Sequence, residues 1–191
     1  MELTPDELRA LTGWAAACAS RVLSLYEARV TDDSRPRSAI EAARAFASGD
    51  PRTKLLRTLA WAALAAAGET DDPVAAAAAR AAVGAAGAAY LHPLASPHQV
   101  KHIVGPAQQA ALARELSGGD ADAEVRWALD HAPPEVSALM RRFPPGKPGR
   151  THLGELHRRL ESALRTGITR TSKGITVIGQ APPREDVRGA R

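Results

Sequence analysis

The chain is poor in cysteine and in aromatic residues, and it carries none of the common catalytic signatures. One cysteine among 191 residues, Cys18, rules out an intrachain disulfide framework and fits a reducing cytoplasm. Cys18 sits in an apolar helical run, so a buried, inert thiol is expected rather than a nucleophile. No CxxC, HExxH or Gly-x-Ser-x-Gly motif is present. Gly84-Ala85-Ala86-Gly87 falls inside a predicted helix, without the strand and turn that a phosphate loop requires. The longest apolar runs are broken by Asp71, Asp72, Arg80 and Gly84, so no transmembrane span is expected. The first residues, Met1 to Glu7, are acidic and open a helix, unlike a signal peptide. These absences point to a cytoplasmic, non-enzymatic chain that needs no cofactor and no membrane.

What is abundant is alanine. Hydrophobic residues make up 45% of the chain and aromatics only 4%. Alanine is the best helix former and buries little area, so such a core depends on close backbone approach. Trp14, Trp61 and Trp127 are the expected space fillers, and one of them found exposed would instead mark a protein interface. Charge is split along the chain. Residues 1–140 hold 13 Lys and Arg against 17 Asp and Glu, whereas residues 141–191 hold 12 against 4. A basic C-terminal quarter suits nucleic acid, an acidic protein face, or solubility alone.

Helix starts are written as a cap residue followed by proline: Thr4-Pro5, Asp50-Pro51, Asp72-Pro73 and Ser96-Pro97. Glu7 completes a capping box with Thr4. The pattern predicts helices from Pro5 to about Arg29, Pro36 to Ala47, Pro51 to Ala67, Pro73 to about Leu91, and Pro97 to Leu116. Shorter helices follow from Asp120 to His131, from Pro134 to Phe143 and from Thr151 to Arg165. The fourth is alanine almost all round and should be buried on most sides. Gly105-Pro106 is expected to kink or split the fifth. The fold class is all-α, an irregular alanine-rich bundle with a basic C-terminal extension. A bundle domain over 1–143 is followed by a Pro/Gly linker at 144–150, a helix at 151–166, and a basic tail at 167–191. That tail reads as a small hairpin or as disorder.

Three groups of residues could carry chemistry. His98 and His102 lie four apart on a predicted helix, with His92 just before it, which is half of a metal site. Polar contacts at a helix start explain them as well, so no metal is expected. Asp32, Asp33, Arg35, Arg37, Glu41 and Arg44 crowd one helix start. Arg37–Glu41 and Glu41–Arg44 are ordinary surface spacings, and acidic residues are favoured before a helix N-terminus, so an ion network is expected rather than catalysis. Arg141, Arg142, Lys147, Arg150, Arg158 and Arg159 form a basic patch. Phe143 is its only aromatic, so non-specific attraction to nucleic acid is conceivable and base readout is not expected.

One pattern goes further. It runs Trp14, Cys18, Arg21-Val22-Leu23 and Glu27, then Asp33-Ser34-Arg35-Pro36-Arg37, Ala39-Ile40-Glu41-Ala42 and Arg44-Ala45. Alanine-rich helices then lead to His92 and His98. Over roughly residues 10–116 this resembles the Imm5-like immunity protein domains of actinobacteria. The resemblance implies a small all-helical cytoplasmic protein that binds and neutralises a toxin by direct protein–protein contact. The resemblance itself assigns no contact residues; the charged helix start supplies the expected ones, Asp32, Asp33, Arg35 and Arg37, with Glu41 and Arg44 beside them. The alternative is a nucleic-acid-associated helical protein using the basic C-terminal region. A metal-dependent enzyme at His98 and His102 is a third.

Overall fold

The computed structural model describes residues 1–171 and 174–177. Eight helices run through them: α1 (Pro5–Glu27), α2 (Arg35–Ala47), α3 (Lys54–Glu69), α4 (Pro73–Ala88), α5 (Pro97–Leu116), α6 (Ala121–Asp130), α7 (Pro134–Arg142) and α8 (His152–Thr166). The chain is an all-α, multi-helix bundle. A short antiparallel ladder follows, in which β1 (Ile168–Thr171) pairs with β2 (Gly174–Val177) in the register Ile168 to Val177. The rest of the predicted tail, 172–173 and 178–191, lies outside the described residues.

The cap signals act as their chemistry dictates, with one exception. At Thr4 the hydroxyl accepts the Glu7 N–H while the Glu7 carboxylate accepts the Thr4 N–H. Asp72 accepts the Ala75 N–H and Ser96 the His98 N–H. Asp50-Pro51 fails as a start, because Asp50 serves the end of α2. Its N–H donates to the Ala45 carbonyl, and the N–H of Gly49 (φ 120°) donates to that of Phe46. This pair of bonds closes a helix C-terminus on a left-handed glycine. Arg52 then reaches across to the Ala89 carbonyl, at 2.9 Å, and α3 begins only at Lys54.

Helix α4 is the centre of the molecule, packed against α1, α2, α3 and α5. Ten of its alanines and Val74 are buried. Each buried methyl contributes only about 0.8 kcal/mol, so the core gains by bringing four backbones close to one. The helix ends at Ala88, three residues before the expected Leu91. Tyr90 and Leu91 donate to the carbonyls of Gly87 and Ala88, tightening the last turn. Helix α5 is one element through Gly105-Pro106, not two. Pro106 cannot donate to the His102 carbonyl, a loss that typically costs about 3 kcal/mol in a helix interior. Burial of its ring against Gly84 of α4 offsets that loss.

The tryptophans divide. Trp14 is buried and donates its indole N–H to the Ala128 carbonyl at 2.8 Å. Trp127 is half-buried, with the Arg21 guanidinium 4.2 Å from its ring centre and the His131 ring stacked at 4.1 Å. Trp61 is not a space filler: it is 65% exposed. It rides the side of α3 opposite to Ala63, Ala66 and Ala67, which face the core. Beneath Trp127, Arg21 and Arg114 both pair with the buried Glu124 carboxylate, joining α1, α5 and α6. Cys18 is buried, and that burial pushes its thiol well above the ordinary range, as expected of an inert thiol.

Helix α8 packs on α5, α6 and α7. The segment before it is held by two side chains. The Arg165 guanidinium donates to the carbonyls of Met140, Phe143 and Pro144. Glu161 accepts the Gly146 N–H at 2.9 Å and pairs with Arg165 at 2.8 Å. His157 lies 3.3 Å from the other Glu161 oxygen.

Candidate functional site

The charged turn between α1 and α2 closes on itself. Asp33 accepts the Tyr26 hydroxyl at 2.5 Å, the Arg35 backbone N–H at 3.0 Å, and the Arg35 guanidinium through Nε and Nη2. The same guanidinium donates to Glu69 at the end of α3, at 2.5 Å. A chain of four polar groups thus ties three helices together. The Arg35 guanidinium holds the Asp33 carboxyl far below the usual carboxylate range, against partial desolvation. It also lowers Glu69. Burial, then the hydrogen bond to Asp33, raises the Tyr26 hydroxyl.

The neighbouring charges depart from the expected surface spacings. Arg37 turns back to Glu27 and donates through Nε and Nη2, both at 2.8 Å. A two-point pair of this kind outcompetes the single contact that Glu41 offers one turn on. Arg44 donates to Ser20 Oγ at 2.7 Å, across to α1. Glu41 is left exposed, paired with none of the described residues. Asp32 is exposed too, in the left-handed region at φ 62°, and lines a shallow concavity of about 300 Å³ with Glu27 and Arg37.

The histidine pair comes together without a third ligand. The His98 and His102 rings meet edge to face with centroids 5.4 Å apart. His92 accepts the Leu94 N–H on Nδ1. Among the described residues, no group of three histidine, cysteine or carboxylate side chains is placed to hold a metal ion. Partial burial, then Lys101 and His98, lowers the His102 ring below its ordinary value.

Beside His102 lies a feature the sequence did not disclose. Helices α3, α4 and α5 enclose a groove of about 380 Å³. Arg57, Trp61 and Leu64 of α3 line one side and His102 the other, with Gly84 and Gly87 of α4 between them. The Arg57 guanidinium lies over the Tyr90 ring, 4.5 Å from its centre. Arg52 lies over the same ring at 5.4 Å, and the Tyr90 hydroxyl donates to the Thr53 carbonyl. The signal for the groove was the Arg57, Trp61, Leu64 spacing, which puts the three on one helical face. Other apolar residues of α3 hide it in the sequence: Leu55, Leu56, Leu59 and Ala63 have helical spacings of their own, and of these Leu55 is also exposed.

Half of the basic patch is engaged inside the chain. Arg142 pairs with Glu7 and with the Glu2 carbonyl, Arg158 donates to the Gly149 carbonyl at 2.9 Å, and Arg159 pairs with Asp122 at 2.7 Å. Arg141, Lys147 and Arg150 are exposed, with no ion pair to the described residues. No described helix is long and apolar enough to cross a membrane.

The family described as "Imm-5 like putative immunity protein" matches residues 1–135, which runs from the N-terminus through α6. No curated protein and no solved structure matches the chain.

Proposed function

The chain belongs to this immunity-protein family, and from that membership we propose that it is a non-enzymatic binding protein of the cytoplasm that neutralises a toxin by covering its active surface. The observation that supports binding is Trp61, 65% exposed on α3 at the edge of an open groove. Trp61 shares this face with the exposed Leu64, and tryptophan is among the residues most enriched as interface anchors. Charge complementarity would speed the encounter. In this reading Asp33, Arg35, Arg37 and Arg44 hold the α1–α2 turn in shape. Asp32 and Glu41 keep their carboxylates for a partner.

Affinity capture of the tagged full chain from its native cytoplasm, after nuclease treatment, tests the reading. A single stoichiometric protein partner, toxic when expressed alone and harmless beside this chain, supports it. Loss of every partner on nuclease treatment would overturn it. That outcome would favour nucleic-acid association through the exposed Arg141, Lys147 and Arg150, with an affinity falling steeply as salt rises.

A further inference from the structure

The groove between α3, α4 and α5 is built from two stretches of the chain that have no carboxylates. Residues 51–68 and 73–114 contain no aspartate or glutamate, although residues 1–140 hold 17 of them. These two stretches supply α4, nearly all of α5, and α3 up to its last residue. Arg57 and His102 line the groove, and Lys54 and Lys101 stand exposed on the same two helices. On a body that is otherwise mildly acidic, this is a cationic, apolar face.

Its interior is shaped for side chains. Trp61 and Leu64 present apolar surface, and Gly87 leaves open space, with nothing within 4 Å of where its Cβ would stand. The Tyr90 ring covers one face of the Arg57 guanidinium, which orients it and leaves its N–H edge available to a carboxylate. Of the tryptophan and tyrosine rings that line the groove, Trp61 alone offers an open face to a ligand, since Arg52 and Arg57 both lie against Tyr90. A single stacking platform does not suit a run of nucleotide bases.

Resting on the immunity reading, we propose that this groove is the docking site for an acidic, apolar segment of the partner protein. An aliphatic or aromatic side chain packs on Trp61 over Gly87, and a flanking carboxylate pairs with Arg57. Lys101 extends the positive field toward the next acidic residue, and the His102 ring, kept neutral by its partial burial, offers a hydrogen bond.

The test is solution NMR of the full chain, following the Trp61 indole N–H signal assigned by Trp61→Phe. The probes are a peptide alternating glutamate with leucine and phenylalanine, the same peptide with lysine for glutamate, and an oligothymidylate. The acidic peptide should shift the Trp61 signal to saturation and leave the buried Trp14 unmoved. The lysine peptide should bind at least tenfold more weakly, and Arg57→Glu should reverse that order. Gly87→Leu fills the groove without backbone strain, so it should weaken the acidic peptide at least tenfold at a melting temperature no lower than that of the wild type. A motionless Trp61 signal, equal binding of the lysine peptide, or tighter binding of the oligonucleotide overturns the proposal. With the captured toxin as ligand, full affinity in Gly87→Leu overturns the groove and leaves the immunity reading standing. A wild-type chain that binds no toxin overturns that reading instead.

Discussion

Gly84 of α4 and Pro106 of α5 are in contact so close that neither could be larger. A Cβ built on Gly84 would stand 2.9 Å from Pro106 Cγ and 3.1 Å from Cδ. The proline ring fills the place of a side chain, which is how α5 lies flat on an alanine helix. Gly87, one turn on, faces open space.

The two glycines should therefore answer alanine with opposite signs. Gly84→Ala forces the helices apart and should cost about 1–3 kcal/mol, the usual range for overpacking. Gly87→Ala removes a glycine from a helix interior and should stabilise by about 0.5–1 kcal/mol. Denaturant unfolding of the two variants gives both signs directly.

Arg35 connects Asp33 to Glu69. Arg35→Ala should cost about 1–3 kcal/mol, because it strips a carboxylate of its charged partner. Arg37→Ala, which breaks a more exposed pair with Glu27, should cost under about 1 kcal/mol. Thermal melts of both variants and of the double variant check the order. Equal effects would show that the four-group chain is not what ties the three helices.

Acid should weaken the fold in two stages. Desolvation lowers the His157 and His102 rings, so below about pH 6.5 the unfolded chain takes up protons first and stability falls. Asp33 is lowered by Arg35. Its contribution is complete above the ordinary carboxylate value of about 4 and drains away as the pH falls below it. Melting temperature measured from pH 8 to pH 3 should show both slopes. His157→Gln should flatten the first and Asp33→Asn the second.

Arg165 ties the end of α7 to the segment 143–146 through the carbonyls of Met140, Phe143 and Pro144 and through Glu161. Arg165→Leu should cost about 2–4 kcal/mol, since it also leaves the buried Glu161 uncompensated. Limited proteolysis should then cut between Phe143 and Arg150 before any other site. Cleavage elsewhere first would mean that α8 is anchored by its leucines alone.

Helix positions were legible because each cap is a local event. Thr4-Pro5, Asp72-Pro73 and Ser96-Pro97 act within four residues of themselves. Asp50-Pro51 misled because the same residues sit at the end of α2, and the competing glycine closure wins there. The crowding of Asp33 and Arg35 was equally local. Their partners Tyr26 and Glu69, and the Glu27 that takes Arg37 from Glu41, come from other helices, and no spacing rule reaches them. Trp61 was illegible for a different reason. Around α3 the apolar residues run almost all the way round, so no polar face marks which side meets water.

The central place of α4 bears on how the chain comes into being on a ribosome. Its alanine surface is covered by α1, α2 and α3, which precede it, and by α5, which follows. None of the earlier helices can complete a core until Leu116 has left the exit tunnel. Until then a nascent chain displays the face of α4 that α5 will cover. Folding is thus close to all-or-none, and a pause before α5 is the moment at which a chaperone has most to hold.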